Sequence, residues 1–233
     1  ALNCPFDCSY CFLQGMYRSA HHVLFLNYED FGDAILEKLS HEKTTFFSGY
    51  DGDSLALEPY SAFLDFFLPF FEKHPQAELE LRTKSINIQK LLKYKPFPHC
   101  VIAFTLSPEK IVQTYEQKTP SLKHRLKAIA QLQEKGWNIG LRFDPLIYVE
   151  DYQAQYSALF KEVLSLVKNP HSITLGAFRL PLQTFKEMER VKPQEKLLAL
   201  CQEKKGMMTF PKEKEMVEFC RKLLPQEKVF VCQ

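Results

Sequence analysis

The sequence of 233 residues contains little glycine, a single tryptophan and no excess of charge of either sign. The 30 Lys and Arg residues against 28 Asp and Glu residues leave a formal net charge of +2, too small to attract a polyanion through bulk charge. No apolar run can span a membrane, because the longest one, around Phe63 to Phe71, carries Asp65 and Pro69. Hydrophobic residues make up 45% of the chain, which excludes disorder as the main state and predicts a large core.

We expect no secretion signal, since Ala1 to Cys4 form neither a basic nor an apolar segment. Seven cysteines are an odd number, and the chain is too long for a disulfide scaffold. Both features favour the reducing cytoplasm. Because the sequence does not begin with Met, we expect that it begins inside a longer protein.

Short β-like runs alternate with amphipathic helical runs over most of the chain, a pattern typical of a parallel α/β sheet. The predicted strands are Thr44–Ser48, Glu78–Thr83, Cys100–Leu106, Asn138–Phe143 and Ile173–Arg179. The predicted helices are Tyr28–Ser40, Pro59–Lys73, Ile86–Lys93, Ser121–Lys135 and Gln153–Val167. Each helical run has apolar residues three and four positions apart, so the hydrophobic period switches cleanly between two and 3.6.

These units predict a single domain over residues 1–233, built as an open parallel (β/α)6 partial barrel. Five strands are one short of that number, so a sixth is expected just before Cys4, in a portion that the sequence does not contain. From Pro181 onward the pattern predicts a helical extension packed on the barrel, with helical segments Pro181–Gly206 and Lys212–Leu224. Val229–Cys232 can close the tail with a strand.

A short loop near the beginning carries three cysteines. Cys4, Cys8 and Cys11 have the spacing C-x3-C-x2-C, which suits three corners of a [4Fe-4S] cube. The fourth iron then stays open for another ligand, such as the amino and carboxylate groups of S-adenosylmethionine. The alternative is a structural zinc ion with His21 or His22 as its fourth ligand. The other four cysteines are scattered and are interpreted as ordinary small apolar residues or surface thiols.

The segment from Asn3 to Gln14 resembles the cluster loop of the radical S-adenosylmethionine superfamily. Four further runs resemble the spore photoproduct lyase family of DNA-repair enzymes in order and spacing. They are Leu81–Lys84, Glu116–Ala128, Gly136–Pro145 and Phe210–Glu215. The resemblance covers most of the chain and implies the same partial barrel that the strand pattern predicts.

The resemblance also implies an activity. A [4Fe-4S] cluster on Cys4, Cys8 and Cys11 would generate a 5′-deoxyadenosyl radical from S-adenosylmethionine, and the substrate would be a damaged nucleobase in DNA. An electron donor such as flavodoxin or ferredoxin would reduce the cluster. Two alternatives stay open: a radical S-adenosylmethionine enzyme with another substrate, and a metal-stabilised nucleic-acid-binding module without turnover.

Candidate binding residues follow the predicted strands, at the edge where parallel barrels assemble their sites. Asp53 can accept a hydrogen bond from the methionine ammonium or cap its own turn. By resemblance, Asp53, Lys84 and Thr105 contact the cosubstrate, and Ser107 lies near the ribose. Arg142 at the next strand end can clamp a carboxylate or phosphate, or pair with a neighbouring acid.

Two departures from the family bear on the mechanism. Its hydrogen-donating cysteine aligns with Tyr50 and its relay tyrosine with Phe12, so Tyr50 is the candidate catalytic residue. The family's DNA-inserting hairpin corresponds to Leu200–Phe210, which is shorter and poorer in aromatic residues. A basic run at a predicted helix start can hold phosphates or simply face solvent. It comprises Lys118, Lys123, His124, Arg125 and Lys127.

Overall fold

The structure is a computed structural model that describes residues 1–17, 19–39 and 44–232. Its strands are β1 Asp7–Cys8, β2 Thr44–Ser48, β3 Ala77–Thr83, β4 Cys100–Thr105, β5 Glu116–Gln117, β6 Asn138–Leu146, β7 Ser172–Ala177, β8 Arg179–Pro181, β9 Gln202–Lys204, β10 Met207–Thr209 and β11 Val229–Cys232. Its α-helices are α1 Leu13–Met16, α2 Tyr28–Leu39, α3 Glu58–Ser61, α4 Phe63–Glu72, α5 Gln89–Lys93, α6 Glu109–Tyr115, α7 Leu122–Lys135, α8 Tyr152–Leu166, α9 Leu182–Val191 and α10 Glu213–Lys222. Short 3-10 turns cover Leu198–Leu200 and Gln226–Lys228.

The main sheet has six parallel strands in the order β11-β7-β6-β4-β3-β2 and curls strongly into a half-barrel. The predicted α/β partial barrel is therefore confirmed, and all five predicted strands belong to this sheet. The sixth strand is β11 at the C-terminal end of the described chain. The strand expected before Cys4 would precede Ala1 and stays a prediction.

Most predicted helices form close to their expected bounds, with two local differences. The predicted helix Pro59–Lys73 is divided into α3 and α4 at Ala62, whose φ of 52° ends the first helical turn. The predicted helix Ile86–Lys93 begins three residues later, at Gln89. The last residue of the predicted helix Tyr28–Ser40 lies outside the described residues.

The segment after Pro181 is less helical than expected. Besides α9 and α10 it contains the antiparallel hairpin β9-β10, whose second strand also pairs with β8. The hairpin turn consists of Lys205 and Gly206, and both have positive φ, as a tight two-residue turn requires. Helical spacing in this segment misled the prediction because three-residue strands are too short to show a period of two.

The core lies between the convex face of the sheet and the helices. All six residues of β4 are buried, which explains why this central strand is almost continuously apolar. Helix α7 buries Leu122, Leu126, Ile129 and Leu132 at helical spacing. Gly136 ends this helix with a φ of 103°, a left-handed conformation that glycine adopts without strain. In the part of the chain that the structure describes, no helix is long and apolar enough to cross a membrane.

The concave face of the half-barrel carries the polar side chains of the strands. Arg142 on β6 reaches across this face to Glu80 on β3, with nitrogen to oxygen distances of 3.1 and 2.6 Å. Both side chains are buried. Burial opposes ionisation of Glu80, but hydrogen bonds and charge from Arg142 and Arg82 outweigh it and lower the pKa of this carboxyl. The pair fills the concave face below the strand ends.

Candidate functional site

A cavity of about 510 Å³ opens at the carboxyl ends of the strands. Its wall combines the cysteine loop, the loop after β2, and the ends of β3, β4 and β6. The residues among these that the sequence analysis singled out are Cys4, Cys8, Cys11, Phe12, Tyr50, Asp53, Lys84 and Thr105. The fold therefore brings most of the candidate residues to one place.

The cysteine loop is held by backbone pairing on one side and by a side chain on the other. Strand β1 carries Cys8 and pairs antiparallel with β5, so that Cys8 lies opposite Glu116. At the beginning of the loop, the amide nitrogen of Asn3 donates hydrogen bonds to the carbonyl oxygens of Ser19 and His21, at 2.8 and 2.7 Å. Protein contacts thus hold the loop at both ends, and the role of Asn3 was not predicted from the sequence.

The three cysteines differ in exposure but share a dry environment. Cys8 is buried, and Cys4 and Cys11 are partly buried. Burial raises the pKa of Cys4 and Cys8 to about 12 and also raises the pKa of Cys11. A metal must therefore displace protons when it binds these thiols.

The donor set fits a [4Fe-4S] cluster. Over residues 1–17, 19–39 and 44–232, no three His, Cys, Asp or Glu side chains converge on one metal position. His21 and His22, the fourth ligands that the zinc alternative names, are both exposed. A [4Fe-4S] cube requires only that each cysteine bind a different iron, and three cysteines around one cavity suit that demand.

The loop after β2 approaches both the cysteine loop and β3 through its glycines. Gly49 has a φ of 87°, and a Cβ there would lie 2.9 Å from the carbonyl oxygen of Arg82. A Cβ on Gly52 would lie 3.1 Å from the carbonyl oxygen of Asn3. Gly49 allows the turn and Gly52 the close approach of the two loops that border the cavity.

Asp53 is held by four hydrogen bonds from the protein. Its Oδ1 accepts from the backbone N–H groups of Leu55 and Ala56, at 3.0 and 2.9 Å, and from the hydroxyl of Thr83, at 2.6 Å. Its Oδ2 accepts from the backbone N–H of Lys84, at 2.6 Å. The turn-capping interpretation is therefore correct for this carboxylate. Oδ2 retains one lone pair that can face a ligand.

Lys84 and Thr105 line the neighbouring wall. The ammonium of Lys84 lies 5.5 Å from the ring centre of Tyr10. Burial lowers the pKa of Lys84, but the negative charges of Cys8 and Glu116 outweigh it and leave the pKa raised. Lys84 is therefore a cation in the cavity wall, beside a candidate cluster ligand. Thr105 is buried at the end of β4.

Two candidate binding residues lie outside the cavity. Ser107 is buried and donates its hydroxyl to Glu116 at 2.8 Å, so it faces away from any ligand in the cavity. Arg142 turns toward the amino end of β7 and contacts Ser172 at 3.0 Å besides its ion pair with Glu80. The expectation that Arg142 clamps a ligand at its strand end is corrected, because its guanidinium is fully occupied below that end.

Tyr50 lies at the mouth of the cavity with 76% of its surface exposed. Its ring is 5.9 Å from the ring of Phe12, centre to centre. The two positions that depart from the family pattern are therefore neighbours in space, although 38 positions separate them in the sequence. An exposed phenol at the mouth can meet a substrate that enters from solvent.

One of the four scattered cysteines, Cys232, lies at the end of an edge strand of the main sheet. Cys232 ends β11 and lies opposite Gly176 in the sheet. Burial and a hydrogen bond with Asp144, which lines the cavity, raise the pKa of the Cys232 thiol. The position of Cys232 depends on the long-range pairing of β11 with β7, which no local sequence pattern predicts.

The basic run divides between core and surface. Lys123, His124 and Lys127 are exposed on α7, whereas Arg125 is fully buried. Lys118 lies 3.8 Å from Asp7 at the side of the cysteine loop. These residues do not form one continuous phosphate-binding patch, because the helix turns its most buried cation inward.

A family model for spore photoproduct lyase matches residues 1–199 of this chain. The chain belongs to the spore photoproduct lyase family. Curated lyases agree: the enzyme of Clostridium acetobutylicum is 24% identical over 163 residues, or 68% of this chain and 48% of its own length. The Bacillus subtilis lyase is 23% identical over 167 residues, which cover 70% of this chain and 49% of that lyase. The chain spans about half the length of these relatives.

Solved structures of spore photoproduct lyase have the same fold. A double mutant with bound AdoMet and dinucleoside spore photoproduct matches with a TM-score of 0.85 and 19% identity, over 99% of this chain and 74% of that chain. A lyase complexed with dinucleoside spore photoproduct matches with a TM-score of 0.84 and 18% identity, over the same shares. The family resemblance that the cysteine loop and the four runs predicted is confirmed.

Proposed function

We propose that the chain is the radical S-adenosylmethionine core of a cytoplasmic spore photoproduct lyase-like enzyme that repairs a damaged nucleobase in DNA. The observation that carries this proposal is the common cavity of the three cysteines, the loop after β2 and the strand ends of Lys84 and Thr105. Membership of the lyase family supports the substrate class.

Different residues around the cavity would bind the cosubstrate and exclude water. Cys4, Cys8 and Cys11 would hold a [4Fe-4S] cluster, and this group would supply the electron for reductive cleavage of S-adenosylmethionine to methionine and the 5′-deoxyadenosyl radical that would take one hydrogen atom from the substrate. Lys84 offers a positive charge to the methionine carboxylate, and Oδ2 of Asp53 offers an acceptor to the methionine ammonium. The buried wall around Thr105 keeps water away from the reacting atoms.

Tyr50 is the candidate hydrogen donor for the substrate radical that remains. Its phenolic O–H is exposed at the mouth, where a bound nucleobase would pass. Phe12 beside it has no hydroxyl, so the relay that the family resemblance implies for this position is absent. An electron donor such as flavodoxin or ferredoxin would supply the reducing equivalent from outside.

The test is anaerobic cluster reconstitution followed by reduction and incubation with S-adenosylmethionine. Mass spectrometry then quantifies 5′-deoxyadenosine and thymine with dinucleoside spore photoproduct, ultraviolet-damaged DNA or undamaged DNA. We expect lesion-dependent thymine repair. Cluster-loaded protein that forms no 5′-deoxyadenosine would refute the radical proposal.

A second candidate function is radical chemistry on a different substrate, and the pair Tyr50 and Phe12 favours it. In this case 5′-deoxyadenosine forms but spore photoproduct stays intact in the same experiment. Tyr50→Cys separates the two candidates further, because a true lyase with an altered donor should repair the lesion when a thiol occupies this position. Intact lesion in both proteins supports the other substrate.

A further inference from the structure

A buried polar network lies directly beneath the cysteine loop, and the proposed reaction does not use it. Its centre is the ion pair between Glu116 on β5 and Arg125 on α7, whose side chains both have 0% exposure. The closest atoms of the pair are 2.5 Å apart. A fully buried ion pair is a poor source of stability, because the loss of hydration offsets much of its attraction. The position of this ion pair beneath the cysteine loop therefore suggests a role other than stability.

The network is joined to the cysteine loop by hydrogen bonds. Tyr10, between Cys8 and Cys11, donates its buried hydroxyl to Oε1 of Glu116. The backbone N–H of Ser9 donates to the carbonyl oxygen of Tyr115 at 2.8 Å. The loop thus contacts the segment around Glu116 through both a side chain and the backbone.

Glu116 is in turn oriented from the opposite side. Arg125 also donates to the carbonyl oxygens of Pro120 and Thr105, at 2.9 and 3.2 Å, and to the hydroxyl of Thr119 at 2.7 Å. Ser107 donates to the same oxygen of Glu116 that accepts from Tyr10. These donors fix the orientation of the Glu116 carboxylate. Because Tyr10 is hydrogen-bonded to this carboxylate, the orientation also fixes the position of Tyr10 in the cysteine loop.

The network also sets the charge beside the cysteines. Arg125 is a buried cation paired with the anion Glu116, and Lys84 is a second cation, close to the ring of Tyr10 in the loop. The ion pair with Arg125 and the hydroxyl groups of Tyr10 and Ser107 stabilise the ionised carboxylate of Glu116. Its negative charge lies beside Cys8, which is its partner in the two-stranded sheet.

We propose that Glu116 is a positioning residue that holds the cysteine loop ready for the cluster through Tyr10 and lowers the reduction potential of the bound cluster. This inference rests on the proposed function only in its second half. The first half concerns the iron-free protein and can be tested without any cluster. The second half follows from charge, because a nearby anion disfavours the more negative, reduced form of the cluster.

The first experiment measures hydrogen exchange in the iron-free protein. Tyr10→Phe removes only the hydroxyl, so the fold should persist while the amide of Ser9 exchanges roughly tenfold faster. Tyr94→Phe is the matched control, since Tyr94 also donates to a glutamate, Glu72, at 2.6 Å but on the surface. Its loop amides should exchange as in the wild type. Equal Ser9 exchange in Tyr10→Phe and wild type would overturn the positioning role.

The second experiment measures the reduction potential of the reconstituted cluster by titration with a spectroscopic readout. Glu116→Gln should shift the potential to a more positive value, whereas Tyr94→Phe should leave it unchanged. If Glu116→Gln does not fold, Lys84→Met gives the complementary test with a shift of the opposite sign. An unchanged potential in the variant that folds would overturn the electrostatic role.

The two proposals fail in different ways. If the wild type binds no cluster, the proposed function fails while hydrogen exchange still decides whether Tyr10 and Glu116 position the loop. If the wild type binds a normal cluster but exchange and potential are both unmoved in the variants, the inference about Glu116 fails alone.

Discussion

We expect Asp53→Asn to destabilise the ligand-free protein, an effect that a role in cosubstrate binding alone would not predict. A residue that only contacts a ligand can be replaced without loss of stability in the ligand-free protein. Asp53 instead joins the loop after β2 to the end of β3 through four hydrogen bonds from its own protein. We therefore expect a large effect on folding before any cosubstrate is added.

The magnitude follows from the geometry of the four donors. Three of them meet at Oδ1, and an uncharged amide oxygen would accept these hydrogen bonds less strongly than the carboxylate oxygen does. The amide nitrogen of Asn would face the backbone N–H of Lys84, so two donors would meet there. At least one donor loses its acceptor, at about 1 to 3 kcal/mol, and the others lose the contribution of the charge. We expect a total destabilisation of about 2 to 4 kcal/mol.

Urea unfolding of the iron-free protein measures this change. With a slope of about 2 to 3 kcal/mol/M, the midpoint should fall by roughly 1 to 2 M. Asp33→Asn is the matched control, because Asp33 is exposed on α2 and should change stability by less than about 0.5 kcal/mol. A loss for Asp53→Asn as small as that of the control would refute the structural role and return Asp53 to a pure ligand contact.

Three further outcomes are expected. Replacement of any one loop cysteine by Ala should abolish the cluster absorbance at roughly 400 nm, whereas Cys201→Ala, at a partly buried cysteine outside the loop, should retain it; four irons per chain in all three loop variants would contradict the ligand set. Tyr50→Phe should change stability by less than about 1 kcal/mol and preserve 5′-deoxyadenosine formation while repaired product falls; unchanged repair would exclude Tyr50 as the donor. Because the pKa of Glu80 is lowered in the folded protein, its stabilisation is complete above its unfolded value of about 4.3 and is lost as the pH falls through the lower folded value. Arg142→Met removes the partner that lowers this pKa, so unfolding at pH 7 should show a loss of about 3 to 5 kcal/mol that shrinks toward acid pH; a loss independent of pH would contradict it.

The alternation of strands and helices along the chain could be predicted because each element has a recognisable local hydrophobic pattern. Strand β4 is continuously apolar, and α7 repeats apolar residues at helical spacing between Ser121 and Gly136. Strand β11 was harder to assign to the sheet. Its four residues alternate, but only their pairing with β7, more than 50 residues earlier, makes them the sixth strand.

The location of the candidate site could be predicted from the sequence, but the side-chain contacts within it could not. The carboxyl ends of parallel strands meet at one edge, so residues that follow strands were expected to converge, and Lys84 and Thr105 do. The direction of a long side chain carries no such signal. Arg142 follows the same rule of position, but Glu80 two strands away draws its guanidinium to the other end of the barrel.

Residues at and beneath the cavity wall make more hydrogen bonds than residues at its mouth, so substitutions at the mouth should be better tolerated. Asp53 at the cavity wall and Glu116 beneath the cysteine loop are each fixed by several donors from different segments, so a substitution at either position should disturb folding. At the mouth, Tyr50 is mostly exposed and meets Phe12 only by ring contact. The two positions that depart from the lyase pattern lie at this outer, weakly constrained rim. A change of hydrogen donor can therefore occur without rebuilding the part of the cavity that would hold the cluster.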